Sequence, residues 1–298
     1  MNTCHTRAIR VLLPNSLLAS LFLAAILATT LATTQAQITL PRASPKTTTA
    51  QTVGVTDISI TYSSPSVKGR TIWGDLVPYG EVWRAGANEA TKISFSDDVT
   101  INGNKLATGS YSVHMIPSKD EWTIIFNKIA DQWGSFDYKA TEDALRVKVK
   151  PQTAEMQEQL WFGFSNITTK SAQLVMRWEK VQVGVDVAVD TNTLALNKIR
   201  KEVATAKSDD WRPSFQAAGF AFQEKIAPDE AAAWLEKSIS IKETYSNLSL
   251  KARVLANSGK QKEAIVQAEK AIALGKASQP KVDTSATEKL LSEWKSKG

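Results

Sequence analysis

The stretch Thr91-Lys92-Ile93-Ser94-Phe95-Ser96-Asp97-Asp98-Val99-Thr100-Ile101-Asn102-Gly103-Asn104 decides the fold class of the first half of the chain. Thr91, Ile93 and Phe95 alternate with Lys92 and Ser94, a period of two that sends apolar side chains to one side of an extended strand. Val99 and Ile101 then run into Asn102-Gly103, a turn signal because both residues tolerate positive φ. Upstream, Ile58, Ile60 and Tyr62 repeat the alternation. Downstream, strands are expected over residues 111–116, 122–127, 145–150, 160–164, 173–178 and 181–189. Leu145, Val147 and Val149 alternate with Arg146, Lys148 and Lys150, so that strand has one wet face. Eight or more short strands separated by turns predict an antiparallel β-sandwich, jelly-roll-like, over residues 53–190.

Near residue 191 the period changes from 2 to 3.6 and stays helical to the end, which marks residues 191–298 as a second, α-helical domain. Leu194, Ile199 and Val203 share a stripe of its first helix. An internal repeat follows. Ala231, Leu235, Ser238 and Ile239 correspond to Ala264, Ala268, Ala271 and Ile272 at an offset of 33, and Phe215, Gly219 and Phe222 correspond to Leu248, Ala252 and Leu255. The small residues Gly219/Ala252 and Ala231/Ala264 are read as points of close helix approach, with Gly259 ending one helix before the next. This pattern resembles the tetratricopeptide repeat, present as two units over residues 212–277. Two units do not stand alone, so caps are expected from the helix around residues 194–206 and from one opening at Ser285 with Glu288 in capping-box spacing.

The first 36 residues read as a secretion signal: Arg7 and Arg10 precede an apolar run over residues 17–31, and Thr34-Gln35-Ala36 offers a cleavage site after Ala36. A retained anchor is the competing reading, although about 15 apolar residues fall short of the roughly 20 needed to span a bilayer. Cleavage leaves no transmembrane segment and predicts a periplasmic or secreted protein. It also removes Cys4, the only cysteine, and His5, so the mature chain has no thiol and His114 as its only histidine. Disulfides, a cysteine nucleophile and thiolate or multi-histidine metal sites are thereby excluded. No phosphate loop, dinucleotide fingerprint or calcium loop is present, and neither a cofactor nor a metal is expected. Residues 37–52, rich in Thr, Ala and Pro, read as a flexible linker. The formal charge of +6 lies outside the sandwich, where 16 Lys and Arg face 17 Asp and Glu, whereas residues 192–298 hold 18 against 13. That excess is spread along helical faces, a solvated surface, and no nucleic-acid partner is expected.

Between the strands ending near Tyr62 and beginning at Thr91 lies a connection of about 28 residues, unusually long for a compact domain. Trp73, Leu76, Val77, Tyr79 and Trp83 carry too much apolar surface to stay in water, so the loop should fold over the sandwich. Flat indoles beside planar hydrogen-bonding groups suit a small-molecule, glycan or peptide ligand, and the candidate site is Arg70, Trp73, Trp83, Arg84, Asn88 and Glu89. The same residues also fit a buried Arg84–Glu89 ion pair that only locks the loop. His114, on a strand face with Ser112 and Ile116, is read first as a hydrogen-bonded structural residue. Paired with Glu89 it is the weak catalytic candidate of an envelope hydrolase or lyase, with Arg84 on substrate charge. Acidic pairs at Asp97-Asp98, Asp120-Glu121, Glu142-Asp143 and Asp209-Asp210 read as turn and helix-start residues.

Gly69-Arg70, the run from Trp83 to Thr91, Gly109-Ser110-Tyr111-Ser112, Ile116-Pro117, Trp122, Phe126-Asn127-Lys128 and Trp133-Gly134 resemble a bacterial exported family known as domain of unknown function 2911. The resemblance spans roughly residues 40–190. It implies the domain boundary, the exported setting and a helical tail, and it implies no activity and no catalytic residue. The reading that results is an exported cell-envelope binding or scaffold protein, its sandwich holding a ligand and its helical repeats a protein partner. A hydrolase or lyase, and a purely structural envelope protein, are the alternatives.

Overall fold

The computed structural model of the chain describes residues 40–297, so the signal-type segment over residues 1–36 lies outside the described residues. Ten strands form two antiparallel sheets: β1 (Lys46–Val53), β2 (Thr56–Ser63), β3 (Thr91–Phe95), β4 (Val99–Ile101), β5 (Asn104–Leu106), β6 (Gly109–Ile116), β7 (Trp122–Asn127), β8 (Asp143–Val149), β9 (Gln152–Ser165) and β10 (Ser171–Ala188). The larger sheet runs β1-β2-β3-β6-β7-β8 and the smaller β5-β4-β10-β9. The Asn102-Gly103 turn joins β4 to β5 with φ of 47° and 79°, both in the left-handed region. Ile58, Ile60, Ile93, Phe95, Val113 and Met115 of the larger sheet share one buried core with Leu160, Phe162, Leu174, Met176 and Trp178 of the smaller. Tyr62 meets Phe162 edge-on across the layers, with ring centroids 5.1 Å apart.

Two expectations need correction. Residues 37–52 are not wholly a flexible linker, because Lys46–Val53 is an edge strand paired along its full length with β2. The run Thr47-Thr48-Thr49 has no apolar alternation to betray it. Its β-branched residues suit a strand all the same, and Val53 alone of its side chains is buried. The strands expected at 173–178 and 181–189 are one 18-residue strand. Glu179, at φ 56°, sits in a bulge that shifts the register against β9, so what reads as a turn is a bend within one strand.

The helical half comprises α1 (Thr191–Thr205), α2 (Arg212–Glu224), α3 (Pro228–Ile241), α4 (Tyr245–Asn257), α5 (Gln261–Ala277) and α6 (Ser285–Lys297). Helix α2 packs on α3 and α4 on α5, while α1 packs on α2 and α6 on α5. Starting residues Arg212 and Tyr245, and likewise Pro228 and Gln261, are 33 apart, the offset of the sequence repeat. Ala218, Leu235 and Leu250 form the centre of this half. Helix α1 is fixed to the sandwich at its start, where Thr191 Oγ1 donates to the Thr169 carbonyl at 2.6 Å, and further along, where Lys198 Nζ donates to the Val55 carbonyl at 2.7 Å. The last helix is preceded by Thr284 rather than capped by Ser285: the Thr284 hydroxyl donates to Glu288 Oε1 at 3.0 Å, and Ser285 is already helical.

Two helical glycines differ in whether close packing requires them. A Cβ on Gly219 would meet only Leu250 Cδ2, at 3.9 Å, an ordinary contact, so this glycine is not needed for the helices to approach. A Cβ on Gly275 would lie 2.6 Å from Thr284 Cγ2 and 3.1 Å from the Tyr245 ring. Gly219→Ala is therefore expected to raise stability by about 0.5–1 kcal/mol through helix propensity. Gly275→Ala is expected to lower it by about 1–3 kcal/mol through overpacking. Thermal melts of the two variants beside the parent check the opposite signs.

Candidate ligand-binding site

The 27 residues between β2 and β3 carry no helix, yet they are tightly anchored. Val67 N–H donates to the Glu158 carbonyl at 2.8 Å, Gly80 N–H to Pro117 at 2.9 Å, and Trp83 exchanges both backbone bonds with Met115 at 2.8 Å. Trp83 thus takes the place beside β6 that β3 leaves when it ends at Thr91, and residues 84–90 bulge from the sheet. Ala85, at φ 53° and fully buried, holds a left-handed backbone unusual for a residue with a Cβ. Of the apolar residues expected to cover the sandwich, Val77 and Trp83 are buried and Trp73 packs against the core, whereas Leu76 and Tyr79 stay exposed.

Under this loop four indoles meet. Trp73 lies edge-on to Trp83, Trp122 and Trp178 at 5.8, 4.7 and 5.8 Å, and Trp83 stacks on Trp178 at 5.8 Å with planes 17° apart. The Trp122 and Trp83 N–H groups donate to the Ser118 and Gly86 carbonyls. Those of Trp73 and Trp178 are buried without a partner. Beside the cluster opens a cavity of about 360 Å³, lined by Lys68, Arg70, Trp83, Arg84 and Trp178 together with Pro65, Leu76 and Val77. Arg84 Nε is buried there with no hydrogen-bond partner. Burial pushes the Arg84 pKa down, and no carboxylate acts to raise it. The buried Arg84–Glu89 ion pair is therefore not formed. Arg70 is held differently, by donating to the Val67 and Ser66 carbonyls at 3.0 and 2.5 Å.

Of the six candidate residues, Arg70, Trp83 and Arg84 line the cavity and Trp73 packs beneath it, against Trp83 and Trp178. Asn88 and Glu89 do not line it. They sit on the far part of the bulge, where Gly134 N–H donates to the Asn88 carbonyl at 3.1 Å and Glu89 bridges Trp133. Lys68 and Trp178 are among the lining residues that escaped the sequence reading. Lys68 belongs to the same loop and its charge was legible, but Trp178 lies on β10 and only folding brings it there.

His114 belongs to a second constellation, on the outer face of the larger sheet. Ser112, His114 and Asn127 are fully buried there, beneath residues 128–142. His114 Nε2 and Ser112 Oγ are 3.3 Å apart, and the Gln132 amide donates to Ser112 Oγ and Asn127 Oδ1, each at 3.1 Å. Asp143 accepts from Asn127 at 2.9 Å, the Tyr138 hydroxyl at 2.7 Å and Arg146 Nε at 2.6 Å. Burial and the bond to Asp143 push the Tyr138 hydroxyl up to about 12. The His114 ring packs on Tyr138 at 5.0 Å between centroids, and its Nδ1 has no partner. Burial lowers its pKa to about 4 against the opposing charge of Asp143. No hydrogen bond joins His114 to Glu89; the carboxylate it senses is Asp143. A base must reach its substrate, and this imidazole has no exposed surface. The other acidic pairs serve local structure: Asp98 accepts from Thr108 N–H at 2.8 Å, Glu121 pairs with Lys148 at 2.7 Å, and Asp210 accepts from Arg212 N–H at 3.1 Å.

Fold and cavity together define a β-sandwich protein with a basic, indole-walled pocket, continued by a helical array. Residues 44–187, which make up most of the sandwich, match the family model described as Protein of unknown function (DUF2911). No curated protein and no solved structure matches the chain. Among the described residues no helix is long and apolar enough to cross a membrane, and no group of three or more His, Cys, Asp or Glu is placed to hold a metal ion.

Proposed function

We propose that this is an exported cell-envelope binding protein whose loop-lined cavity takes a small-molecule ligand and whose tetratricopeptide-like helical array holds a protein partner. Export rests on the residue pattern before Gln37 and predicts a periplasmic or secreted location. The repeat reading rests on the 33-residue offset and on helix pairs that start at the same interval. One observation carries the ligand reading: Arg84 Nε and Trp178 Nε1, both buried and both without partners, border the same cavity. An unmet buried donor ordinarily costs about 1–3 kcal/mol. Both belong to residues that line one cavity, and a small shift of these side chains toward ligand acceptors would satisfy them. A hydrolase or lyase built on Glu89 and His114 has less support, since the imidazole is sealed and hydrogen-bonded to Ser112.

The indole cluster is its own reporter. Titrating the purified protein with envelope glycans, peptides and small organic ions while following tryptophan emission is expected to give a saturable change with at least one class. Trp83→Phe is expected to weaken that change. A flat response across all classes, with no thermal shift, refutes the ligand reading and leaves a structural envelope protein.

A further inference from the structure

We infer that the ligand of this cavity is a small organic anion, with a carboxylate, phosphate or sulfate group held by Arg84 and Trp178 between Lys68 and Arg70, and an apolar body against Leu76 and Val77. The inference rests on the binding reading above and narrows it to a chemical class.

Hydrogen-bond polarity is the first argument. The free buried polar atoms of the lining are both N–H donors, on Arg84 and Trp178. Four backbone acceptors around the cavity are already taken: the Ser66 carbonyl by Arg70, Gly86 by Trp83 Nε1 at 3.1 Å, Pro65 by Leu160 N–H at 2.9 Å and Val77 by Gly74 N–H at 2.9 Å. A neutral sugar or amide presents donors as well as acceptors, and among the lining side chains only the Ser44 and Ser66 hydroxyls can accept them. An oxyanion presents acceptors only and matches the lining.

Charge gives the same answer. Lys68, Arg70 and Arg84 line the cavity and no Asp or Glu does. Glu158, next to the lining, is occupied by accepting the Lys68 backbone N–H at 2.9 Å and is not itself a lining residue. A partly buried guanidinium without a carboxylate is stabilised when an anion enters, because the interaction strengthens as water leaves. Size supplies the apolar half, since about 360 Å³ exceeds what a bare phosphate or sulfate fills, and Leu76, Val77 and the Trp83–Trp178 stack border the remainder.

The test uses the full protein with three probes that share one ring: phenyl phosphate, benzoate and neutral benzyl alcohol, titrated by calorimetry and tryptophan emission. At least one anion is expected to bind saturably and about tenfold or more tighter than benzyl alcohol, with affinity falling as salt is added. Whether phosphate or carboxylate binds better identifies the head group. Arg84→Met is expected to lose about ten- to hundredfold in affinity while its melting temperature holds or rises, because the buried charge had no partner to lose. Lys68→Asn, on the exposed loop, is expected to weaken binding without touching the core. Equal binding of benzyl alcohol and the anions overturns the anion assignment and leaves the binding reading intact. No binding of any probe at millimolar concentration counts against both. An Arg84→Met protein that melts lower and binds as before makes Arg84 a structural residue and also overturns the inference.

Discussion

Trp178→Ala is expected to lower the stability of the sandwich by about 3–5 kcal/mol, the largest effect of any single substitution proposed for this protein. Trp178 is 1% exposed and touches both Trp73 and Trp83, so its removal opens a void where two rings lose their neighbour. The remaining indoles are pinned, Trp83 by its backbone pairing with Met115 and Trp122 by its bond to Ser118, so the void cannot collapse freely. Trp178→Phe is expected to cost far less, about 1 kcal/mol, since most of the ring surface remains and the lost indole N–H had no partner. Urea unfolding followed by far-UV circular dichroism compares the two. Similar losses for Ala and Phe would mean that the N–H matters and that a partner for it exists in solution.

Acidification is expected to destabilise the fold by on the order of 3 kcal/mol through His114 alone, across the window from its ordinary pKa of 6.5 to its folded value of about 4. Inside that window the unfolded imidazole has taken a proton and the folded one has not, so the unfolded state binds more protons and lower pH favours it. Above the ordinary pKa both states are neutral and the contribution is complete; below the folded value it is gone. Asp143, Arg146 and Tyr138 share the cluster and carry charge or hydrogen bonds of their own, so the effect must be isolated by difference. His114→Leu is expected to flatten the curve between those limits, whatever its stability at neutral pH. Denaturant midpoints at several pH values for parent and variant measure this, and parallel curves would remove His114 as the cause.

Both effects depend on partners drawn from separate parts of the chain, and that governs how much could be read in advance. Strands β3 and β4 follow from alternation, because each puts one face in a common core. The 33-residue helical offset was legible for the same reason, since repeats of local pattern need no knowledge of tertiary contacts. Strand β1 was not legible, because an edge strand of threonines buries little. The bulge at Glu179 was hidden too, since a left-handed glutamate has no sequence mark. In the site, the loop was identified by its length and its indoles, but side chains on an irregular backbone follow no period. Nothing in the order of residues told that Arg84 would line the cavity while Asn88 gives its amide to the Ser44 carbonyl and Glu89 bridges Trp133 through the backbone.

The sequence by itself determined the division into a β half and a helical half, the single histidine of the chain after Ala36, and the one connection too long and too aromatic to be a simple turn. Those are properties of local pattern and composition. The tertiary structure alone decided that Arg84 is left without a carboxylate, that Trp178 of β10 joins the loop of residues 64–90, and that His114 is sealed beneath Tyr138. The physical reason is that burial and hydrogen-bond pairing are set by which distant segments pack together, and in this sandwich they pack across separations of nearly a hundred residues.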